Sequence, residues 1–155
     1  MASMIKIRAP HEDELELLSA LCLRSKAVWG YDEAFMAACR DELTVTLDDL
    51  HSWQMQLAED AEGIVGVAQV TLDGDEADLS KLFVDPARLR AGVGRVLFDW
   101  AVETARSLGA RRMIIEADPD AVDFYRSMGA RKVGSAPSGS IPGRVLPRLH
   151  LDLQP

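Results

Sequence analysis

The chain has 155 residues, a hydrophobic share of 48%, a charged share of 27% and a formal net charge of −8, which suits one globular domain with enough apolar content for a core. The acidic balance, with a pI near 4.8, argues against a nucleic-acid binder, which presents a basic face, and no apolar run reaches the length of a membrane span. A single domain over residues 1–155 in the cytoplasm is the expectation, because the opening Met1-Ala2-Ser3-Met4-Ile5-Lys6 lacks a signal-peptide core.

Met4 to Arg8 reads as a short first strand. Pro10 opens a helix whose first turn carries Glu12, Asp13 and Glu14, acidic groups that suit a helix N-terminus. Leu15, Leu18, Leu21, Cys22 and Ser25 give its inner face. Gly30 interrupts the pattern, and Asp32 caps a second helix with Phe35, Met36, Cys39 and Leu43 on one side. Cys22 and Cys39 therefore read as buried free thiols, and the three histidines show no metal-ligand spacing. The joint Val28-Trp29-Gly30-Tyr31-Asp32 sets two aromatics beside a glycine. Two readings stand: Trp29 and Tyr31 line an acceptor pocket, or they finish the core beside the sheet. Thr46-Leu47-Asp48-Asp49 fits a short capped turn.

Strands follow. Trp53, Met55 and Leu57 alternate with polar residues, a half-buried strand. Glu59 to Gly63 is a turn, and Ile64 to Leu72 is apolar on both faces. Asp73-Gly74 marks a tight hairpin into the strand Ala77 to Val84. That strand has a parity break: Ala77 and Leu79 share one face, while Leu82 and Val84 have the opposite parity. One extra residue near Ser80-Lys81 restores the register, which is a β-bulge.

Asp85-Pro86 then leads into the turn Arg88-Leu89-Arg90-Ala91-Gly92-Val93-Gly94-Arg95. Behind it Val93, Val96, Leu97, Trp100, Ala101, Ala105 and Leu108 recur at helical steps, with Gly109 at the C-cap. The first amides of such a helix have no partner inside it. Glycines at 92 and 94 keep side chains away from the backbone, and Arg88, Arg90 and Arg95 surround the same point. Bare amides, a helix N-terminus and guanidinium groups describe a phosphate site. The dinucleotide fingerprint fails because position 97 is Leu, and the P-loop signature is absent.

Arg112 to Ala117 is the next strand, parallel to the previous one if the helix is their crossover. Pro119 starts a short helix with Asp118 as its cap, Ala121, Phe124, Tyr125 and Met128 as its inner stripe and Gly129 at its end. Arg131-Lys132-Val133 begins a further strand. Ser135 to Arg144 is a long polar loop, and the closing strand carries Leu149, Leu151 and Leu153 on one face. An alternating terminal strand can pair across subunits, so a homodimer is compatible.

The segment Leu82-Phe83-Val84-Asp85-Pro86 with Arg90-Ala91-Gly92-Val93-Gly94-Arg95-Val96-Leu97 resembles the acyl-CoA pyrophosphate motif of the GNAT superfamily of N-acetyltransferases. Glu116 to Ala130 resembles that family's later motif, in which a short helix ends in Tyr-x-x-x-Gly-Phe. Two blocks in this order extend the resemblance over nearly the whole chain. It implies an α/β (α+β) fold: a mixed, mostly antiparallel sheet of about six or seven strands, about four flanking helices, and a parallel strand pair splayed at the cofactor cleft. It also implies acetyl-CoA as co-substrate without a metal, and direct attack by a primary amine. Leu82, Phe83 and Val84 would hold the pantetheine arm, with an amide near Val84 facing the oxyanion. Arg90, Ala91, Gly92, Val93, Gly94 and Arg95 would hold the diphosphate. Tyr125 falls where the family's catalytic tyrosine stands, as general acid towards the departing thiolate. Trp29 and Tyr31 lie where the family builds its acceptor site.

Two departures accompany the resemblance. Leu89 stands where the family usually has Gln or Arg, and Asp118 stands where Asn is common. The base stays open among Glu33, Glu76, Asp78 and Glu116. The acceptor stays open among an amino acid, a polyamine, an antibiotic-like amine and a protein N-terminus. The alternative from another class is a catalytically silent acyl-CoA-binding or regulatory module on the same scaffold, and an unrelated phosphate-binding protein is a further one.

Overall fold

The computed structural model describes residues 5–52 and 54–153. Met4 of the expected first strand and Trp53 of the expected second lie outside the described residues. The strands are β1 (Lys6–Arg8), β2 (Gln54–Asp60), β3 (Gly63–Asp73), β4 (Glu76–Val84), β5 (Arg112–Glu116), β6 (Arg131–Pro137) and β7 (Val145–Asp152). The helices are α1 (Leu15–Ala27), α2 (Glu33–Leu43), α3 (Leu47–Ser52), α4 (Val93–Ser107) and α5 (Val122–Ser127). One sheet runs β1-β2-β3-β4-β5-β7-β6. Its β4–β5 pair is parallel, and the other pairs are antiparallel. Among the described residues, no helix is long and apolar enough to cross a membrane.

Strand alternation divides the apolar residues between two faces. Leu18, Leu21, Cys22, Cys39 and Leu43 of α1 and α2 pack on Met55, Leu57 and Val67. On the other face, Phe98, Ala101, Ala105 and Tyr125 pack on Val70, Ala77, Leu79, Met113 and Ile115. Fully burying one of the larger side chains contributes about 1.5–3 kcal/mol. The start of α4 lies against β3 at Gly66. A Cβ there would sit 2.8 Å from Leu97 Cδ1 and 2.9 Å from Val93 Cγ1, so only glycine lets the helix come this close.

The expected sheet, its parallel pair and the bulge are present, with four differences. Residues 47–52 wind into α3 where a turn was expected, with Thr46 and Asp49 exchanging the reciprocal bonds of a capping box. The helix after Pro10 begins as a 3-10 turn, Glu12–Glu14, before α1. Strand β6 continues to Pro137, which shortens the polar loop to 138–144. The closing strand β7 lies between β5 and β6, so its pairing edges are already occupied inside the sheet, and the free edges belong to β1 and β6.

Candidate active site

β4 and β5 pair only from Glu76↔Arg112 to Asp78↔Ile114. Just beyond, the register against β3 passes from Val70↔Leu79 to Gln69↔Lys81, leaving Ser80 as the extra residue. A bulge bends the bulged strand, and here it turns β4 away from β5. The gap between Leu79–Phe83 and Ile115–Ala117 is a cleft of about 150 Å³, also lined by Trp29, Lys81 and Tyr125. Asp85 N donates to Val65 O at 2.8 Å, and the Phe83 carbonyl faces β3 at Gly66. Successive residues of a strand turn their peptide groups to opposite edges. The Leu82 and Val84 amides therefore face the side that β5 has left. The Phe83 backbone is spent on β3, and what it brings to the cleft is its side chain.

The turn before α4 is built on two left-handed residues, Arg90 (φ 67°) and Gly92 (φ 87°). The first helical bond is Val96 N to Gly92 O at 3.1 Å. Among the described residues, the amides of Gly92, Val93, Gly94 and Arg95 have no acceptor. The Ala91 amide is spent on Arg88 O at 3.2 Å. A Cβ on Gly92 would meet nothing, so its glycine is a conformational need. The side-chain position of Gly94 faces Phe124 Cζ at 3.4 Å, not open space, so a Cβ there would make an ordinary contact with α5. Arg88 does not join the anion site as the sequence suggested. It is ion-paired to Asp60 at 2.6 Å and to Glu62, tying the turn to the β2–β3 hairpin. Arg90 and Arg95 are exposed and form no ion pair among the described residues.

Tyr125 is 7% exposed. Its ring packs on Phe98 at 5.8 Å and edge-on to Phe124 at 5.1 Å. Its hydroxyl has no hydrogen-bond partner among the described residues, and the residue lines the cleft. Burial, then the Asp118 carboxylate, push its pKa above the usual value.

Asp118 anchors a charged knot at the other end of the cleft. It accepts from Lys26 Nζ and from Tyr31 Oη, each at 2.5 Å. Arg144 Nη2 donates to Tyr31 Oη at 2.8 Å and stands 3.8 Å from Asp118. Tyr31 stacks on Phe35 at 3.9 Å, and the Arg144 guanidinium lies 4.8 Å from the Phe35 ring. Burial and then Asp118 push the Tyr31 pKa up to about 12. Trp29 lines the cleft. Tyr31 neither lines the cleft nor finishes the core, but links α1, β5 and the 138–144 loop. Asp118 makes no side-chain cap to the following turn, because its carboxylate is committed to these partners. Their separations of 87 and 92 residues left no local signal.

A second cavity of about 210 Å³ lies beside the paired ends of β4 and β5, lined by Asp73, Glu76, Asp78, Glu116 and Arg148. Glu116 lines both cavities. Asp78 stays open to solvent on one side, yet partial desolvation and the neighbouring Glu116 raise its pKa. Glu33, at the start of α2, lines neither. Lys81 was read only as part of the bulge. It proves to be 8% exposed, with its Nζ donating to Glu42 O at 3.0 Å.

Residues 16–130 match the family model described as the acetyltransferase (GNAT) family. Human N-acetyltransferase 8 is 28% identical over 133 residues, covering 79% of this chain and 58% of that protein. The chain thus spans under two thirds of this relative's length. A GCN5-related N-acetyltransferase from Rhodopseudomonas palustris superposes with a TM-score of 0.81 at 20% identity, covering 99% of this chain and 98% of that one. The PaiA N-acetyltransferase from Thermoplasma acidophilum, solved with coenzyme A, gives 0.76 at 16% identity, covering 96% and 99%. At these identities the structural likeness speaks for the fold.

Proposed function

The chain belongs to the GNAT acetyltransferase family, and we propose that residues 1–155 act as one unit that moves an acetyl group from acetyl-CoA to a primary amine by direct attack. The observation that carries this reading is the splay of β4 from β5, which opens onto Tyr125 and follows directly into a helix start with four unpartnered amides. Those amides, with Arg90 and Arg95, fit a diphosphate. The Leu82 and Val84 amides fit the polar groups of an extended arm laid where β5 is missing. Acetyl-CoA supplies an acyl group already activated as a thioester.

The chain's own residues then have four tasks. The Val84 amide donates to the carbonyl oxygen as negative charge develops on it. Glu116, at the junction of the two cavities, takes a proton from the attacking amine, directly or through water, with Asp78 beside it. The Tyr125 hydroxyl, with no partner to leave among the described residues, donates to the departing sulfur. Trp29 and the knot around Asp118 shape the acceptor end. Cys22 does not enter as a nucleophile: burial pushes its thiol up to about 12, which suppresses the thiolate.

Calorimetry with coenzyme A and with ATP tests the binding half, and thiol release from acetyl-CoA across an amine panel tests the transfer. Binding of coenzyme A in preference to ATP, with amine-dependent thiol release, is expected. Equal binding of ATP would point to a general phosphate site. Tight coenzyme A binding with background release across the panel would point to a silent acyl-CoA module.

A further inference from the structure

The cleft wall carries charge that acetyl transfer to a bare amine leaves idle. The chain has a net charge of −8, yet Lys26, Lys81 and Arg144 all line the cleft, against Glu42, Glu116 and Asp118. Lys81 is more than nine-tenths buried. Its one hydrogen bond is to a backbone carbonyl, Glu42 O, and no carboxylate stands within ion-pair distance of it among the described residues. An ammonium has three donors, so two remain for the cleft it lines. The Asp49 carboxylate feels its charge without reaching it, and a buried ammonium without a contacting counter-ion is costly. The Glu42 carboxylate accepts from the Ser140 hydroxyl and lies outside ion-pair distance of the ammonium. Helix capping accounts for one of the three donors, since Glu42 lies in the last turn of α2.

Arg144 is similarly underused. Among the described residues its side chain donates to Tyr31 Oη, and Asp118 lies at 3.8 Å while pairing tightly with Lys26 at 2.5 Å. The knot therefore keeps one positive charge in surplus. Beyond Glu116 the sign reverses: the second cavity carries Asp73, Glu76 and Asp78 with Arg148 as its lone cation. Cationic and acidic walls thus meet at Glu116.

We infer that the acceptor is an amino-carboxylate: a small molecule whose carboxylate is held by Lys81 and Arg144 while its amine lies at Glu116. This rests on the acetyl-transfer reading and specifies its substrate class. Carboxylate binding supplies the contacting counter-ion that Lys81 lacks and accepts from the guanidinium fork of Arg144. Acidic groups at the other end attract the ammonium before it loses its proton.

The test uses matched α-, β- and γ-amino acids, each with its primary amide and its decarboxylated amine, at saturating acetyl-CoA. Thiol release gives kcat/KM, and calorimetry on the coenzyme A complex gives acceptor affinity independently of turnover. At least one acid is expected to exceed its own amide and amine by about 10- to 100-fold, the weight of one charged hydrogen-bonded contact. Lys81→Met should reduce that ratio to about threefold or less, and Arg144→Gln should reduce it in a protein whose core is untouched. Amides or decarboxylated amines used as well as the acids would overturn the inference while leaving acetyl transfer intact. Failure of every acid both to bind and to react would overturn it too. Loss of coenzyme A binding itself would instead strike the underlying reading.

Discussion

Replacing Tyr125 with Phe separates chemistry from packing unusually well. The ring is held by Phe98 and Phe124, and Phe keeps both contacts. The hydroxyl has no partner among the described residues, so deleting it strands no buried donor or acceptor. The stability change should stay within about 0.5 kcal/mol. The catalytic cost is larger. At ordinary values a phenol near pKa 10 protonates a thiolate near 8.5 at a cost of about 2 kcal/mol. Burial and Asp118 raise the phenol further, so complete transfer is more uphill still. The useful contribution is then a hydrogen bond that strengthens as charge reaches sulfur, worth about 10²-fold in kcat. Stopped-flow or steady-state thiol release with a preferred amine, calorimetry for coenzyme A and thermal melting measure the three quantities separately. A kcat within threefold of the parent would refute the acid role. So would a loss of turnover matched by an equal loss of coenzyme A affinity or of folding.

Gly66→Ala places a methyl within 3 Å of both Leu97 and Val93. It should cost about 1–3 kcal/mol and weaken coenzyme A binding by displacing the start of α4, and an unchanged melting temperature and affinity would contradict this packing. Glu14 is held down to about 2 by Arg8, below its usual value of 4.5. Its stabilisation is therefore complete above about pH 4.5 and lost as pH falls towards 2. Glu14→Gln should remove about 1 kcal/mol at neutral pH, together with that part of the acid sensitivity; identical acid unfolding profiles would rule it out. The chain has two tyrosines, so in a Tyr125→Phe background Tyr31 alone titrates. Adding Asp118→Asn should lower its pKa from about 12, though burial keeps it above the ordinary phenol value. An ultraviolet titration that does not move would show that Asp118 and Tyr31 are not bonded.

Legibility in the sequence followed the range of the interactions. The helix α4 could be read because Val93, Leu97, Ala101 and Ala105 recur at its own period and are buried. Its exceptions are Val96 and Trp100, which are only partly buried, and Leu108, the exposed C-cap residue. The bulge at Ser80 was readable because a parity break survives in one strand. The four free amides followed from helix geometry alone. What escaped were pairings between distant segments. Nothing near Arg88 announces Asp60, 28 residues earlier, and so an arginine beside the anion site was mistaken for part of it. Gly66 sits in an apolar run with no periodicity to mark it as the contact point of α4. The Asp118 partners come from α1, the α1–α2 joint and the 138–144 loop, and only the folded sheet brings them together. Lys81 could be read only as part of the bulge, because its enclosure comes from the distant α2.

A divided strand pair is also an opening through the wall that otherwise separates the two halves of the molecule. The helix start that fits the diphosphate packs on one side of the sheet, and the knot of Lys26, Tyr31 and Arg144 joins the helices of the other. If both ligands meet only at that opening, neither blocks the other's way in. Kinetically this means a ternary complex with free order of arrival, and a non-reacting acceptor analogue that lowers maximal velocity without competing against the thioester.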